Sequence, residues 1–307
     1  KPVSRGESTV EPRSYRHFAR FLYQLAARYG RVRADAQQLT IHSKSRWTGD
    51  GPNVPKTGLD LLEYIEVWNE PDKWWSDPEA FFSPDEYAAM LSACYDGHEG
   101  RLGAGHGIKK ADPSMQVVMA GLSNFNLDYL KGMNDWFKKH RRDKKFAAEI
   151  VNFHHYSNKN QALKPNFEAG IAPEADQLRE KLRTLIQYTR QELPGKIFWL
   201  SEFGYDTRQN SPQRAEPSAT FDAETVQGMW IVRSYIEAIA AGVDAVFVYN
   251  IIDEDSEENG LFQSSGLARS AKAGFVPKKA WNMVQELSEN LQDAVLTADM
   301  SAGQLRS

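Results

Sequence analysis

Five short runs rich in β-branched and aromatic residues alternate with long amphipathic runs from residue 60 onward, and this order restricts the fold more than any other feature. The runs are 64–68 (YIEVW), 116–121 (QVVMAG), 149–155 (EIVNFHH), 197–201 (IFWLS) and 244–250 (DAVFVYN). Helices are predicted between them from starts near Pro84, Asn126, Glu174 and Asp222, with a last one near Pro277 and one over 13–29 ahead of the first strand. A parallel neighbour needs a crossover long enough to hold a helix, so strand–helix alternation signals βαβ units on a parallel sheet.

The 307 residues are twice the ~150-residue prior for one domain, yet a single (β/α) barrel of ~250 residues also fits. No internal repeat, low-complexity tract or Pro/Ser linker divides the chain, so one domain over 1–307 is expected. The stretch 31–58 is polar and carries Gly, Pro, Asn and Asp without sustained periodicity. It is expected to be a long excursion, within which only 38–42 has strand character.

A composition of 41% hydrophobic and 25% charged residues is able to bury a sizeable core, which excludes disordered and fibrous classes. The net charge of −4 comes with no basic stripe, so the electrostatic footprint of a nucleic-acid binder is missing and a small, neutral or mildly polar ligand is expected. No run approaches the ~18 apolar residues of a membrane span, and no membrane partner is expected. The chain opens on Lys1 with a polar segment rather than a signal peptide, and reads as mature, trimmed or partial, so its address is not legible. Its oligomeric state is equally unreadable. The one cysteine, Cys94, lies in a helical pattern among Met90, Leu91 and Tyr95. It is expected to be buried; a single thiol builds neither a disulfide nor a thiolate metal cage.

Helix starts are well signalled. Ser83-Pro84-Asp85-Glu86 puts a hydroxyl at the cap, proline at the first helical position and an acid at the third, each serving the unpaired N–H groups of a first turn. Tyr15, Phe18, Leu22 and Leu25 recur at helical steps and predict one buried stripe.

Two glutamates stand at the C-terminal tips of predicted strands, where a parallel α/β fold places its site. Glu70 follows Trp68-Asn69 and precedes Pro71, which disfavours helix at the residue before it and so marks a strand-to-loop exit. Glu202 follows an apolar run and precedes Phe203-Gly204-Tyr205. Paired carboxylates there suit glycoside hydrolysis, one giving a proton to the leaving oxygen and one facing the anomeric carbon or its water. The alternative is a pair of solvated loop acids.

Trp68-Asn69-Glu70-Pro71 resembles the Asn-Glu-Pro signature at strand four of clan A glycoside hydrolases, and Trp199-Leu200-Ser201-Glu202-Phe203-Gly204 is similar to their strand-seven nucleophile segment. Phe153-His154-His155-Tyr156 resembles the His-x-Tyr at strand six of the same clan, family 39 and its relatives being nearest. The resemblance covers residues 12–292 and implies an α/β fold, a (β/α)8 TIM barrel of which strands four to eight are present and the first three are not evident.

Carried over by position, the resemblance implies a retaining glycosidase acting on an oligo- or polysaccharide, with Glu70 as acid/base and Glu202 as nucleophile. Asn69 would hydrogen-bond the sugar 2-OH and Tyr156 would orient Glu202. His154, two residues before Tyr156 on one strand face, fits the same wall, while His155 is expected to point into the helix layer. Trp68 would supply an apolar wall, Trp74 and Trp75 a sugar platform or a packed loop anchor, and Tyr249 an aromatic at the end of the last strand. No metal or organic cofactor is required, and a secreted or periplasmic address is implied by the family only. The alternatives are a non-catalytic carbohydrate-binding relative or inactive barrel fragment, and a metal hydrolase using His154, His155 and a carboxylate. Adjacent strand residues face opposite ways, which disfavours the last.

Overall fold

The computed structural model describes residues 1–4, 6–42, 44–73, 76–159, 169–254, 260–292 and 294. The strands are β1 (Tyr64–Val67), β2 (Gln116–Met119), β3 (Ile150–His154), β4 (Ile197–Phe203) and β5 (Ala245–Val248), following one another in chain order in one sheet. Tyr64 lies opposite Gln116, Val118 opposite Ile150 and Trp199 opposite Ala245, all in parallel register. The protein is therefore mixed α/β with a parallel five-stranded sheet. All five predicted runs form strands, with ends trimmed or extended by up to two residues. The chain groups into two compact units, Lys1–Asn152 with Gly195–Ile197, and Phe153–Pro194 with Phe198–Ser307.

The first unit holds helices α1 (Arg16–Tyr29), α2 (Pro84–Asp96), α3 (Ile108–Ala111) and α4 (Leu127–His140). α1 buries Ala19, Leu22, Tyr23, Ala26 and Ala27. The predicted stripe is thus correct at Tyr15 and Leu22, while Phe18 and Leu25 are half-buried at its margin. α2 begins in a complete capping box: Ser83 Oγ accepts the Glu86 N–H (3.3 Å) and the Glu86 carboxylate accepts the Ser83 N–H (2.7 Å). It ends on Gly97 in the left-handed conformation. Residues 87–94 are all buried, a helix covered all round. Burial pushes the Cys94 thiol up, which keeps it protonated and inert.

The weak strand at 38–42 does not form. Asp35 caps a single 3₁₀ turn over Ala36–Gln38 by accepting the Gln37 N–H (3.0 Å), and Gln24 Oε1 accepts the Thr40 N–H (2.8 Å). Within 38–42 the Gln38 and Leu39 N–H groups donate to the Asp35 and Ala36 carbonyls (3.0 and 3.1 Å) and the Thr40 N–H to Gln24, so the turn and one side chain hold donors that a strand ladder would need.

The second unit holds α5 (Leu178–Glu192), α6 (Ala223–Ala241) and α7 (Lys279–Leu291). Asp222 caps α6 by accepting the Thr225 N–H (2.8 Å), and Gly242 closes it in the left-handed conformation. α5 starts at Leu178 rather than near Glu174, because Gln177 is left-handed (φ +58°) and interrupts the helical run. β4 continues two residues beyond its predicted end, so Glu202 lies within the strand instead of past its tip. Between Leu200 and Phe203 it advances three residues while β5 advances two, from Val246 to Val248. One extra residue in β4 is a β-bulge, the device that turns a side chain out of the strand's alternation.

Candidate active site

In the first unit, Glu70 sits three residues beyond β1 on a segment that reverses the ordinary backbone twice. Trp68 has φ +87° and Glu70 has φ +43°. Bulky L-residues enter this region only where their surroundings enforce it, and such positions cluster at functional sites. The enforcement here is a set of short hydrogen bonds. The Glu70 N–H donates to the Gly121 carbonyl (3.1 Å), the Phe82 N–H to the Pro71 carbonyl (2.7 Å) and the Ser123 N–H to Asp72 Oδ1 (2.8 Å). Tyr87, buried on α2, donates its hydroxyl to the Val67 carbonyl (2.8 Å) and accepts the Ala120 N–H (2.5 Å), joining the ends of β1 and β2.

Glu70 itself is buried (8% exposed). Trp68 is half-buried, its ring edge-on to Phe18 (5.7 Å) and Phe82 (5.8 Å). Asn69 between them is exposed. Trp74 and Trp75 lie outside the described residues.

Asp72 was not singled out from the sequence. It is 3% exposed, and burial pushes its carboxyl up to about 6, with the nearby Glu70 charge adding to the rise and the Ser123 N–H opposing it. Its signal was an acid directly after Glu-Pro, a position that is ordinarily a solvated turn residue.

In the second unit, Glu202 occupies the β4 bulge with its side chain 23% exposed. The Tyr156 hydroxyl donates to Glu202 Oε2 (2.8 Å), and His154 Nδ1 lies 3.4 Å from the same oxygen. His154 (1% exposed) and Tyr156 (6%) stand two residues apart at the end of β3 and reach one carboxylate, as the strand period requires. The His155 N–H donates to the Glu202 carbonyl (2.9 Å), tying the two strand ends together through the main chain. The phenol donor favours the ionised carboxylate. An imidazole nitrogen and a carboxylate are also donor types of divalent metal sites.

The His155 ring engages Asp176 instead (2.5 Å). Asp176, 3% exposed, also accepts from Ser157 Oγ (2.9 Å) and Lys181 Nζ (2.6 Å). Burial would raise its carboxyl, but the bonds from His155 and Lys181 outweigh it and hold it below the usual range. His155 is thus a satisfied polar group that anchors the β3 exit.

Gly204, two residues past Glu202, admits no side chain: a Cβ there would stand 2.2 Å from the Tyr249 carbonyl oxygen. The Tyr249 N–H in turn donates to the Phe203 carbonyl (2.7 Å). Tyr249 is half-buried, its ring edge-on to Phe262 (5.6 Å). Phe262 and the buried Asp206, whose Oδ2 accepts the Phe262 N–H (2.9 Å), are two further residues that the sequence left unmarked, since neither belongs to a periodic run or a motif.

No protein-family model matches the sequence, and no curated protein does. Solved structures similar to the chain include a family 39 glycoside hydrolase from the gut symbiont Bacteroides cellulosilyticus WH2, at 16% identity and TM-score 0.49, covering 74% of this chain and 41% of that one. A GH2 beta-galacturonidase from Eisenbergiella tayi is similar at 15% identity and TM-score 0.46, covering 76% of this chain and 34% of that one. A monomeric beta-xylosidase from Caulobacter crescentus CB15 is similar at 19% identity and TM-score 0.43, over 73% of this chain and 41% of its own. The chain spans well under half the length of each of these three.

Proposed function

We propose that this chain is a retaining glycoside hydrolase acting on an oligo- or polysaccharide, its five strands being the fourth to eighth of a (β/α)8 barrel that forms one catalytic domain. Glu202 is the nucleophile and Glu70 the acid/base. The observation that carries this reading is the setting of Glu202, a carboxylate on a strand bulge that accepts a 2.8 Å hydrogen bond from Tyr156 and has His154 at 3.4 Å. A nucleophile must be ionised and correctly aimed, and the Tyr156 donor favours both.

In the first step Glu202 Oε attacks the anomeric carbon while Glu70 gives its proton to the departing glycosidic oxygen, leaving a glycosyl ester on Glu202. In the second, Glu70 takes a proton from water, whose oxygen attacks the same carbon and releases Glu202 as carboxylate. The rigid loop around Glu70, pinned through Gly121, Phe82 and Ser123, suits a group that must act twice from one place. Asn69, His154, Tyr156, Trp68, Tyr249 and Trp74 are the proposed sugar contacts.

The experiment is turnover of 4-nitrophenyl pyranosides of xylose, glucose, galactose and glucuronic acid, in both anomers, by the wild type, Glu70→Gln and Glu202→Gln. Each variant is expected to lose at least ~100-fold in kcat/KM, and a 2-fluoro glycoside should label Glu202, read by peptide mass spectrometry. Product of inverted anomeric configuration, or wild-type turnover by either variant, would overturn the assignment.

A further inference from the structure

The net charge of −4 hides one local exception. Residues 138–145 read Lys-Lys-His-Arg-Arg-Asp-Lys-Lys, six Lys or Arg against one Asp, over the end of α4 and the turn that leads to β3. Cations this close repel one another, and the fold holds them together by hydrogen bonds to the turn's backbone. The Glu99 carboxylate accepts the N–H groups of Arg142 (3.1 Å) and Asp143 (3.0 Å) and pairs with Arg101. Asp143 accepts the Lys145 N–H (3.0 Å), and Arg141 turns inward to Asp96 and Asp143. Lys144 is exposed and left-handed (φ +53°), a conformation that a long side chain adopts only where its surroundings enforce it.

The acids of this region are thus taken up by backbone donors and by Arg101 and Arg141. Among the described residues, Lys110, Lys139, Arg142, Lys144 and Lys145 are exposed, and their side chains enter no ion pair. Lys109 adds a cation beside Glu149 (3.3 Å) and donates to the Met115 carbonyl (2.8 Å) just ahead of β2. Lys196 stands just ahead of β4. Burial lowers its pKa, and the charges of Lys145, Lys109 and Arg141 lower it further against the pull of Glu149. The excess positive charge therefore covers the N-terminal ends of three neighbouring strands. Because the strands run parallel, Glu70 leaves β1 at the opposite end of the first unit.

No helix among the described residues is long and apolar enough to cross a membrane. Lying on one takes charge instead. The run 138–145 offers no Trp, Tyr or Phe on which bases or sugar rings would stack. Its cations, joined by those ahead of β2 and β4, form a broad end that matches a plane of anionic headgroups. A substrate polymer held there would have to run the length of the sheet to meet Glu70, whereas a planar surface docked there leaves the Glu70 end open.

We propose that the basic end bearing Lys110, Lys139, Arg142, Lys144 and Lys145 docks this chain reversibly on a bilayer containing anionic phospholipid, with the Glu70 end turned away from it. Docking does not depend on the glycosidase reading, and its test needs no turnover.

The test is co-sedimentation of the full chain with phosphatidylcholine vesicles, pure or with about a third phosphatidylserine, in about 0.1 M and 1 M NaCl, where the screening length is ~10 and ~3 Å. Binding is expected only to the phosphatidylserine vesicles and only at the lower salt. Each Lys or Arg near such a surface strengthens binding about fivefold, so the triple variant Lys139→Gln, Lys144→Gln and Lys145→Gln should bind about 100-fold more weakly, with a melting temperature near wild type. Arg at the same three positions should keep wild-type binding. Failure of the wild type to bind phosphatidylserine vesicles at the lower salt, or wild-type binding by the Gln variant, would overturn the proposal. So would retention by polygalacturonate or duplex DNA, lost in the Gln variant, from a chain that ignores the vesicles.

Discussion

The Tyr156 hydroxyl at the exit of β3 donates a 2.8 Å hydrogen bond to Oε2 of Glu202 in the bulge of β4. The bulge faces the carboxylate toward that phenol, and the phenol is fixed in turn by burial and by the Phe262 ring. A hydrogen bond to a charged group is worth ~1.5–3 kcal/mol. Tyr156→Phe keeps the ring and removes the donor, so kcat/KM should fall about 10- to 100-fold. Steady-state kinetics on an activated glycoside checks this, and an unchanged kcat/KM would show that Glu202 does not depend on the phenol.

Gly204 and Tyr249 make a second close contact, in the main chain. A methyl group at position 204 would meet the Tyr249 carbonyl oxygen at 2.2 Å, so backbone must shift between the ends of β4 and β5. Gly204→Ala should cost about 1–3 kcal/mol, read as a lower urea midpoint with an unchanged slope.

Asp72 makes stability depend on pH. Its carboxyl is pushed up to about 6 from an unfolded value near 3.8, chiefly by burial. Between these values the folded chain binds more protons than the unfolded chain, so this contribution is most favourable at low pH and is lost as pH rises through about 6. The groups around it are Glu70, whose charge adds to the rise, and the buried phenols of Tyr87 and Tyr129. Asp72→Asn keeps an oxygen for the Ser123 N–H and removes the charge. It should match the wild type near pH 4 and exceed it near pH 7 by up to ~3 kcal/mol. Denaturant titrations at the two pH values test this; parallel stability curves would disprove it.

Arg141 is a buried cation in the first unit, its side chain fully covered. It donates to Asp96 (2.8 and 3.0 Å), Asp143 (2.9 and 3.0 Å) and Ser92 (2.9 Å). Burial disfavours its charge, but the bonds to Asp96 and Asp143 outweigh that and raise its pKa. Arg141→Ala leaves two carboxylates without their cation and should destabilise by ~3–5 kcal/mol. Arg141→Lys should recover only part of this, because an ammonium cannot make the paired guanidinium contacts. Thermal melts of the three proteins give the ranking.

Much of the fold was legible because its signals are local. β-Branched runs located all five strands, and Ser83-Pro84-Asp85-Glu86 located the start of α2, because a capping box is complete within four residues. Glu70 and Glu202 stood out because each follows a predicted strand at an exit written in neighbouring residues, whereas His154 and Tyr156 stood out through the resemblance to the clan A His-x-Tyr segment. Where other hydrogen-bond partners competed, the strand and helix reading failed: 38–42 gave its ladder donors to the 3₁₀ turn's carbonyls and to Gln24, and α5 started late because Gln177 is left-handed.

By itself, then, the sequence determined the strand and helix order and the residue types at the strand ends, which depend on periodicity and on contacts a few residues long. Only the tertiary structure decided the β4 bulge that places Glu202 against Tyr156, the burial that lifts the Asp72 carboxyl, and the Asp206 carboxylate that accepts the Phe262 N–H. Each of these depends on partners about 45 to 60 residues away along the chain. Their energies come from desolvation and from hydrogen bonds that exist only once those partners are packed, and no local pattern encodes them.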